Sequence, residues 1–299
     1  TKPTNSQSSL TASLLAEDQQ ALTADVVELG DPHRGEMIYR RKELACASCH
    51  AIGSAGPTIG PNLVAVGAAA SPSYMVESIL KPNAAIAEHY ENRMFTLTDG
   101  SVQMGVVTYK SEKEVVVRDS TQAGKEVRLP ANAIQREQAL PSLMPAGLTE
   151  QLKSRQEFLD LAKFLSVLGR PGDFANDESP VIRKWQLATS RDESATWQTA
   201  YSKVNGTLPA EDLPADITFA KAHLKVLVPG KATLKLNSTK GLQLWLDGKE
   251  IKDPSAPLNL KKGRPTLTFR IDRSKQPGLR VELETPTSSP LKAQPEGGQ

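Results

Sequence analysis

The stretch Cys46-Ala-Ser-Cys49-His50 gathers both cysteines of a 299-residue chain and sets a histidine directly after the second. Cys-x-x-Cys-His is the attachment pattern for c-type haem: two thiols add across vinyl groups on one macrocycle, and the adjoining imidazole reaches the iron. Other chemistries also use neighbouring cysteines. A disulfide between Cys46 and Cys49 would close so short a loop that it constrains little of the unfolded chain. A zinc site asks for four ligands, usually from a second pair, and the other histidines, His33, His89 and His223, are scattered singly. A thioredoxin-like redox pair follows a strand in a βαβ unit, whereas a helical pattern precedes this motif.

A haem held through His50 needs that imidazole oriented and a ligand on the opposite face. "GPTIGPNL", residues 56–63, is a Gly/Pro turn able to hold a peptide carbonyl against the ring. Pro61 is the expected carbonyl donor, and Leu63 is expected to pack on the haem face. Met144, in "SLMPAG", stands in a loop just ahead of an amphipathic helix, and a thioether there suits an electron-transfer haem. Core filling is its competing role. Among the other methionines, Met104 alternates with Val102 and Val106 and reads as strand core. Met94 abuts the same strands, and Met37 and Met75 fall within helices. His89, or His33, would instead give a bis-histidine iron, and His89 is the runner-up to Met144.

These residues must be positioned by the elements around them. Residues 1–30 read as an extension or linker with a weak helical pattern. Asp31-Pro32 opens a helix expected to run to about Arg41, and Ser71-Pro72 opens another through Leu80, with Tyr74, Met75, Ser78 and Ile79 near one face. From residue 90 to 138 the period changes to alternation around an Asp99-Gly100 turn, a hairpin signal, with enough short strands for a compact barrel. Ser154 and Glu157 form a capping box for a helix whose Phe158, Leu161, Ala162, Leu165 and Leu168 share a face. Residues 171–179 read as a linker. Residues 180–287 carry alternating runs at short intervals, the rhythm of an antiparallel β-sandwich, and residues 288–299 read as a disordered tail.

Composition is that of a folded globular protein, 38% hydrophobic and 23% charged with net charge +2, and the length is that expected of two domains. Basic residues concentrate after residue 220, with 15 Lys and Arg against 7 Asp and Glu. No zinc-finger spacing, Gly-rich phosphate loop or aromatic-basic RNA signature is present, which sets nucleic acid aside as a partner. No apolar run is long enough to cross a bilayer. The start, "TKPTNSQSS", lacks an initiator Met and a signal-peptide core, so the chain is expected to be mature or excised.

Four segments, "GDPHRGEMIYRRKELACASCHAIGSAGPTIGPNL", "SPSYMVESILKPNAAIAEHYENRMFTLTDGSVQMGVV", "VVVRDSTQAGKEVRLPANAI" and "SLMPAGL" with "EFLDLAKFLSVLG", together resemble the haem-binding domain of large planctomycete and verrucomicrobial proteins, over residues 31–170. That resemblance implies a multidomain α+β chain: a helical class I cytochrome c domain with an inserted SH3- or Sm-like β-barrel, followed by the sandwich. It implies Cys46 and Cys49 as thioether anchors, His50 as proximal ligand, Pro61 as its carbonyl partner and Met144 as distal ligand. It also implies Gly35 and Tyr39 at the crossing of the first and last helices, against Leu161 and Leu165. The C-terminal region is weakly similar to carbohydrate-associated modules of the PA14 or galactose-binding type, and Trp245, out of phase with its leucines, either faces solvent to stack on a sugar ring or is covered by another strand or loop.

The expected function is electron transfer by one covalent haem c, received from a dehydrogenase partner or domain, without enzymatic chemistry of the chain's own. Arg40-Arg41-Lys42 is a candidate guide for an acidic partner. A haem sensor with a labile sixth ligand is the alternative, and a glycan-binding module with a redox passenger is a third reading. Covalent attachment implies export to the periplasm or cell envelope.

Overall fold

The structure, a computed structural model, describes residues 9–119, 122, 125–175, 179–192 and 194–297. It divides into two compact units, Thr1–Ala51 with Pro57–Arg170, and Ile52–Gly56 with Pro171–Gln299.

The first unit holds helices α1 (Leu10–Ala16), α2 (Gln19–Leu29), α3 (Pro32–Tyr39), α4 (Cys46–Cys49), α5 (Val66–Ala69), α6 (Pro72–Leu80) and α7 (Arg155–Val167), with strands β1 (Asn92–Leu97), β2 (Val102–Lys110), β3 (Glu114–Asp119), β4 (Lys125–Pro130) and β5 (Ile134–Ala139) between α6 and α7. Side-chain oxygens cap the starts of the main helices: Asp31 accepts from the His33 and Arg34 amides, Ser71 from Tyr74 and Ser154 from Glu157. Each cap satisfies amides that the first helical turn leaves without partners. Residues 9–30 are more than an extension. Leu14, Leu22 and Val26 are buried, and α2 packs on α6 and α7, so α7 is covered on more than one side and buries Leu159 and Phe164 besides the expected Phe158, Leu161 and Ala162.

The inserted strands form one antiparallel sheet, order β4-β3-β2-β1-β5. Its core is Phe95, Val115, Val117 and Leu129. Met104 and Val102 were expected in that core and are not. They are 43% and 55% exposed, because Phe95 and Val117 line the filled face and alternation sends Met104 to the other.

The second unit is built from β6 (Lys184–Ala188), β7 (Gln198–Tyr201), β8 (Thr207–Pro209), β9 (Ile217–Val228), β10 (Gly230–Leu236), β11 (Leu242–Leu246), β12 (Lys249–Ile251), β13 (Leu258–Leu260), β14 (Thr266–Asp272), β15 (Gly278–Glu284) and β16 (Lys292–Pro295). Two antiparallel sheets, β13-β10-β15-β8 and β12-β11-β14-β9-β6-β7 with β16 on β9, share a core that includes Trp185, Ala220, Leu234, Leu244, Phe269 and Val281. The expected disordered tail contributes β16, paired with residues 224–228 of β9. Of the expected linker, residues 176–178 lie outside the described residues.

The architecture overturns the expectation of a helical class I cytochrome c fold. Three antiparallel sheets organise the chain, and the longest helix among the described residues is the 13-residue α7. The helical periods are present where the sequence placed them. They are local, however, and the cores of the inserted sheet and of the second unit are built by strand faces, which a helical pattern does not announce.

The contact of α3 with α7 organises the helical part. A Cβ on Gly35 would lie 2.0 Å from the Asp160 carbonyl oxygen and 2.6 Å from Phe164 Cβ, so only glycine permits this approach, and the Tyr39 ring packs on Phe164 at 5.6 Å. The side chain of Asp160, 3% exposed, accepts from Arg34 Nε at 2.8 Å, the Asp31 amide at 2.8 Å and Gln156 Nε2 at 2.9 Å. Burial pushes the Asp160 carboxyl up, but these donors outweigh it and hold it below its ordinary range. Asp160→Ala is expected to lose about 2 kcal/mol at neutral pH, because the hydrogen bonds to a buried, charged acceptor are lost together. A depressed folded-state pKa means that this contribution is present above the ordinary carboxylate range and disappears as pH falls through the folded value. Urea melts at pH 7 and near pH ~3 check it: the gap between wild type and variant narrows in acid.

Candidate functional site

The Cys-x-x-Cys-His residues occupy one helical turn, α4, and the residue after it. Arg41 begins a 3-10 turn, Lys42–Leu44, and Ala45 then takes left-handed backbone at φ 55° to start α4 at a sharp angle. The His50 amide closes the turn on the Cys46 carbonyl at 2.9 Å. Both thiols are free and half-buried. Burial pushes the Cys46 thiol up to about 11 and raises Cys49 as well, so neither is poised as a thiolate at neutral pH.

Three groups grip His50. Its Nδ1 lies 2.8 Å from the Pro61 carbonyl oxygen. A carbonyl only accepts, so the proton sits on Nδ1 and the lone pair is left on Nε2. Gly60 supports the ring: a Cβ there would come within 2.7 Å of Cε1 and 2.8 Å of Nδ1. The Gly60 amide in turn donates to the Cys49 carbonyl at 2.8 Å. The buried Tyr39 hydroxyl donates to the His50 carbonyl oxygen at 2.8 Å, tying the motif to the α3–α7 contact. Burial lowers the His50 pKa while the Pro61 hydrogen bond opposes the shift.

Leu63 is half-buried, and its amide donates to the Ala51 carbonyl at 2.8 Å. Met144 is half-buried, its amide bonded to Ser142 Oγ at 3.2 Å, in a loop pinned by the Ser142 amide on Asn83 Oδ1 and by Asn92 Nδ2 on the Pro141 carbonyl. His89 is exposed, with φ 64°, 3.8 Å from Glu88. His33 is exposed on α3. Of the basic run, Arg41 is committed within the fold. It makes a two-pronged bond to Glu157 on α7 at 3.1 and 2.6 Å, which leaves Lys42 as an exposed member. Sequence reasoning missed the Tyr39 and Gly60 contacts with His50. The second Gly-Pro pair in 56–63 was the available signal for Gly60, and Tyr39 gave none.

A bare ion finds no cage: among the described residues, no three His, Cys, Asp or Glu side chains converge. A porphyrin brings four nitrogens of its own and asks the chain for two thiols and axial donors. Two free thiols beside an imidazole with a fixed Nε2 lone pair fit that requirement.

In the second unit, Trp245 does not face solvent. It is 7% exposed, with the Arg191 guanidinium 4.5 Å from its ring centroid and Phe219 beside it. Lys221 Nζ lies 3.6 Å from the Trp197 ring centroid.

The chain matches no protein-family profile and no curated protein sequence. Among solved structures it is similar to an anti-sigma factor domain-containing protein, at 12% identity over 71% of this chain and 80% of that one, with a TM-score of 0.24. A likeness at that level carries no argument about this chain.

Proposed function

We propose that the first unit is a c-type haem module that carries single electrons. The observation that supports it most is His50, next to two free thiols, with Nδ1 fixed on the Pro61 carbonyl and Nε2 left as the donor. In this reading Cys46 and Cys49 would hold the macrocycle through thioether bonds, and His50 and Met144 would be the residues that bind its iron. Bound there, the haem would supply a reversible one-electron couple. The chain's own residues do the rest. Pro61 sets the imidazole tautomer and Gly60 its tilt. Tyr39 anchors the histidine's backbone to α3, and Leu63 shields the ring from water. The chain makes and breaks no substrate bond. A dehydrogenase partner or domain supplies the electrons, and thioether formation places the protein in the periplasm or cell envelope. No helix of the described residues is long and apolar enough to cross a membrane. A polysaccharide bound through the second unit is not adopted, since Trp245, the candidate platform for it, is covered.

An absorption spectrum of the matured protein, oxidised and then reduced, tests the reading. Sharp c-type bands that stay with the polypeptide in acidified organic solvent are the expected result, and a colourless or extractable sample overturns it.

A further inference from the structure

One row of the first-unit sheet touches both loops that carry candidate axial ligands. Asn92 on β1 stands opposite Val106 on β2, which stands opposite Arg118 on β3, so the three side chains share a face. At one end, Asn92 Nδ2 donates to the Pro141 carbonyl at 3.1 Å, and the Leu140 amide donates to the Asn92 carbonyl at 2.9 Å, in the loop that continues to Met144. At the other end, Arg118 Nη1 donates to the Thr58 carbonyl at 2.7 Å, in the turn that continues to Gly60 and Pro61 against His50. With strands ~4.8 Å apart, the row spans about 10 Å.

The next rows on the same face mix apolar and polar side chains: Met94 stands between Met104 and Gln138, and Thr96 between Val102 and Arg136. Val106, inside the braced row, is buried, whereas Met104 and Val102 are among the exposed large hydrophobic residues. Thioethers adapt to irregular flat surfaces, and these two adjoin the row that ties the His50 turn to the Met144 loop.

We infer that this face is a wall of the haem pocket: Asn92, Val106 and Arg118 set the separation of the two ligand loops, and Met94, Met104 and Val102 cover the edge of the macrocycle anchored at Cys46 and Cys49. The inference rests on the haem reading above and assigns the inserted sheet a task in it. A docking face for the electron-donating protein is the competing occupant.

Peroxide footprinting of the matured protein decides the matter, with peptide mass spectrometry reading sulfoxide at each methionine. A haemochrome assay first establishes that the haem is attached; its failure sinks the haem reading itself. With haem in place, Met104 should oxidise about tenfold more slowly in the native protein than in the same protein unfolded in guanidinium, where the thioether bonds persist. Oxidation of Met104 at the unfolded rate overturns the wall and leaves the face to a partner. A charge at the same point gives an independent reading. Met104→Asp should lower the midpoint potential, because a carboxylate beside the ring favours the ferric state, while Tyr109→Asp, opposite Val116 on the far side of the braced row, should shift it less. Equal potentials in the two variants also overturn the wall.

Discussion

Cys46→Ser combined with Cys49→Ser is expected to abolish the pigment altogether, whereas each single variant should keep part of it with a shifted absorption band. The reasoning starts from α4. One helical turn places residues three apart on the same face, and the left-handed Ala45 fixes where that turn begins. The thiols are unpaired, and burial holds them in the neutral form. A redox dithiol would have its attacking thiol lowered toward neutrality, the reverse of what is found. With both sulfurs replaced, only the bonds from His50 and Met144 to the iron would retain the haem, and neither outlasts the unfolding of the chain on a denaturing gel. Denaturing gels stained for haem peroxidase activity measure this directly. Stain persisting in the double variant would mean that the haem is attached elsewhere, and unstained wild-type protein would dismiss the attachment.

Local features were the legible part of this chain. Asp31, Ser71 and Ser154 cap helices because their oxygens stand where the first turn needs acceptors, and Asp99-Gly100 turns β1 into β2 because Gly100 takes φ +83° without cost. What period-two alternation cannot reveal is which face of a strand the fold will fill. That choice belongs to distant partners, and it sent Met104 outward while bringing Trp245 under Arg191. Arg41 reads as a free surface charge until α7 brings Glu157 to it from 116 residues away. The overall class was misjudged for the same reason. Helix signals lie within ten residues of each other, whereas the pairing of β16 with β9 or of β8 with β15 joins segments with no mutual signature. At the site, types and spacing were legible in the cysteines and histidine, whose chemistry is local. The Tyr39 hydrogen bond was not, because it depends on how the end of α3 comes to lie against the residue that follows α4.

Met144→Ala carries the second large effect and separates a carrier from a sensor. In the haem-loaded protein, the methionine-iron charge-transfer band in the far red of the ferric spectrum should vanish. The midpoint potential should fall, since a thioether favours the ferrous state more than water does, and the reduced variant should bind carbon monoxide rapidly where the wild type does not. If the haem is bound as proposed, the hydrogen bonds of the Met144 loop oppose a sixth position that is vacated easily. The loop from Leu140 to Met144 is held by Asn92 through two hydrogen bonds, by Asn83 at the Ser142 amide and by Ser142 Oγ at the Met144 amide. Releasing the sulfur by swinging the loop would break several of these together, each worth about 1 kcal/mol. His89, the runner-up, stands exposed beside Glu88, so recruiting it would mean moving a solvated side chain and its left-handed backbone. An unchanged band in Met144→Ala reassigns the ligand, and rapid carbon monoxide binding by the wild type converts the carrier into a sensor. Asn83→Ala, which loosens the loop without touching the sulfur, separates the two: in a carrier it should raise the rate of carbon monoxide entry while leaving the charge-transfer band in place.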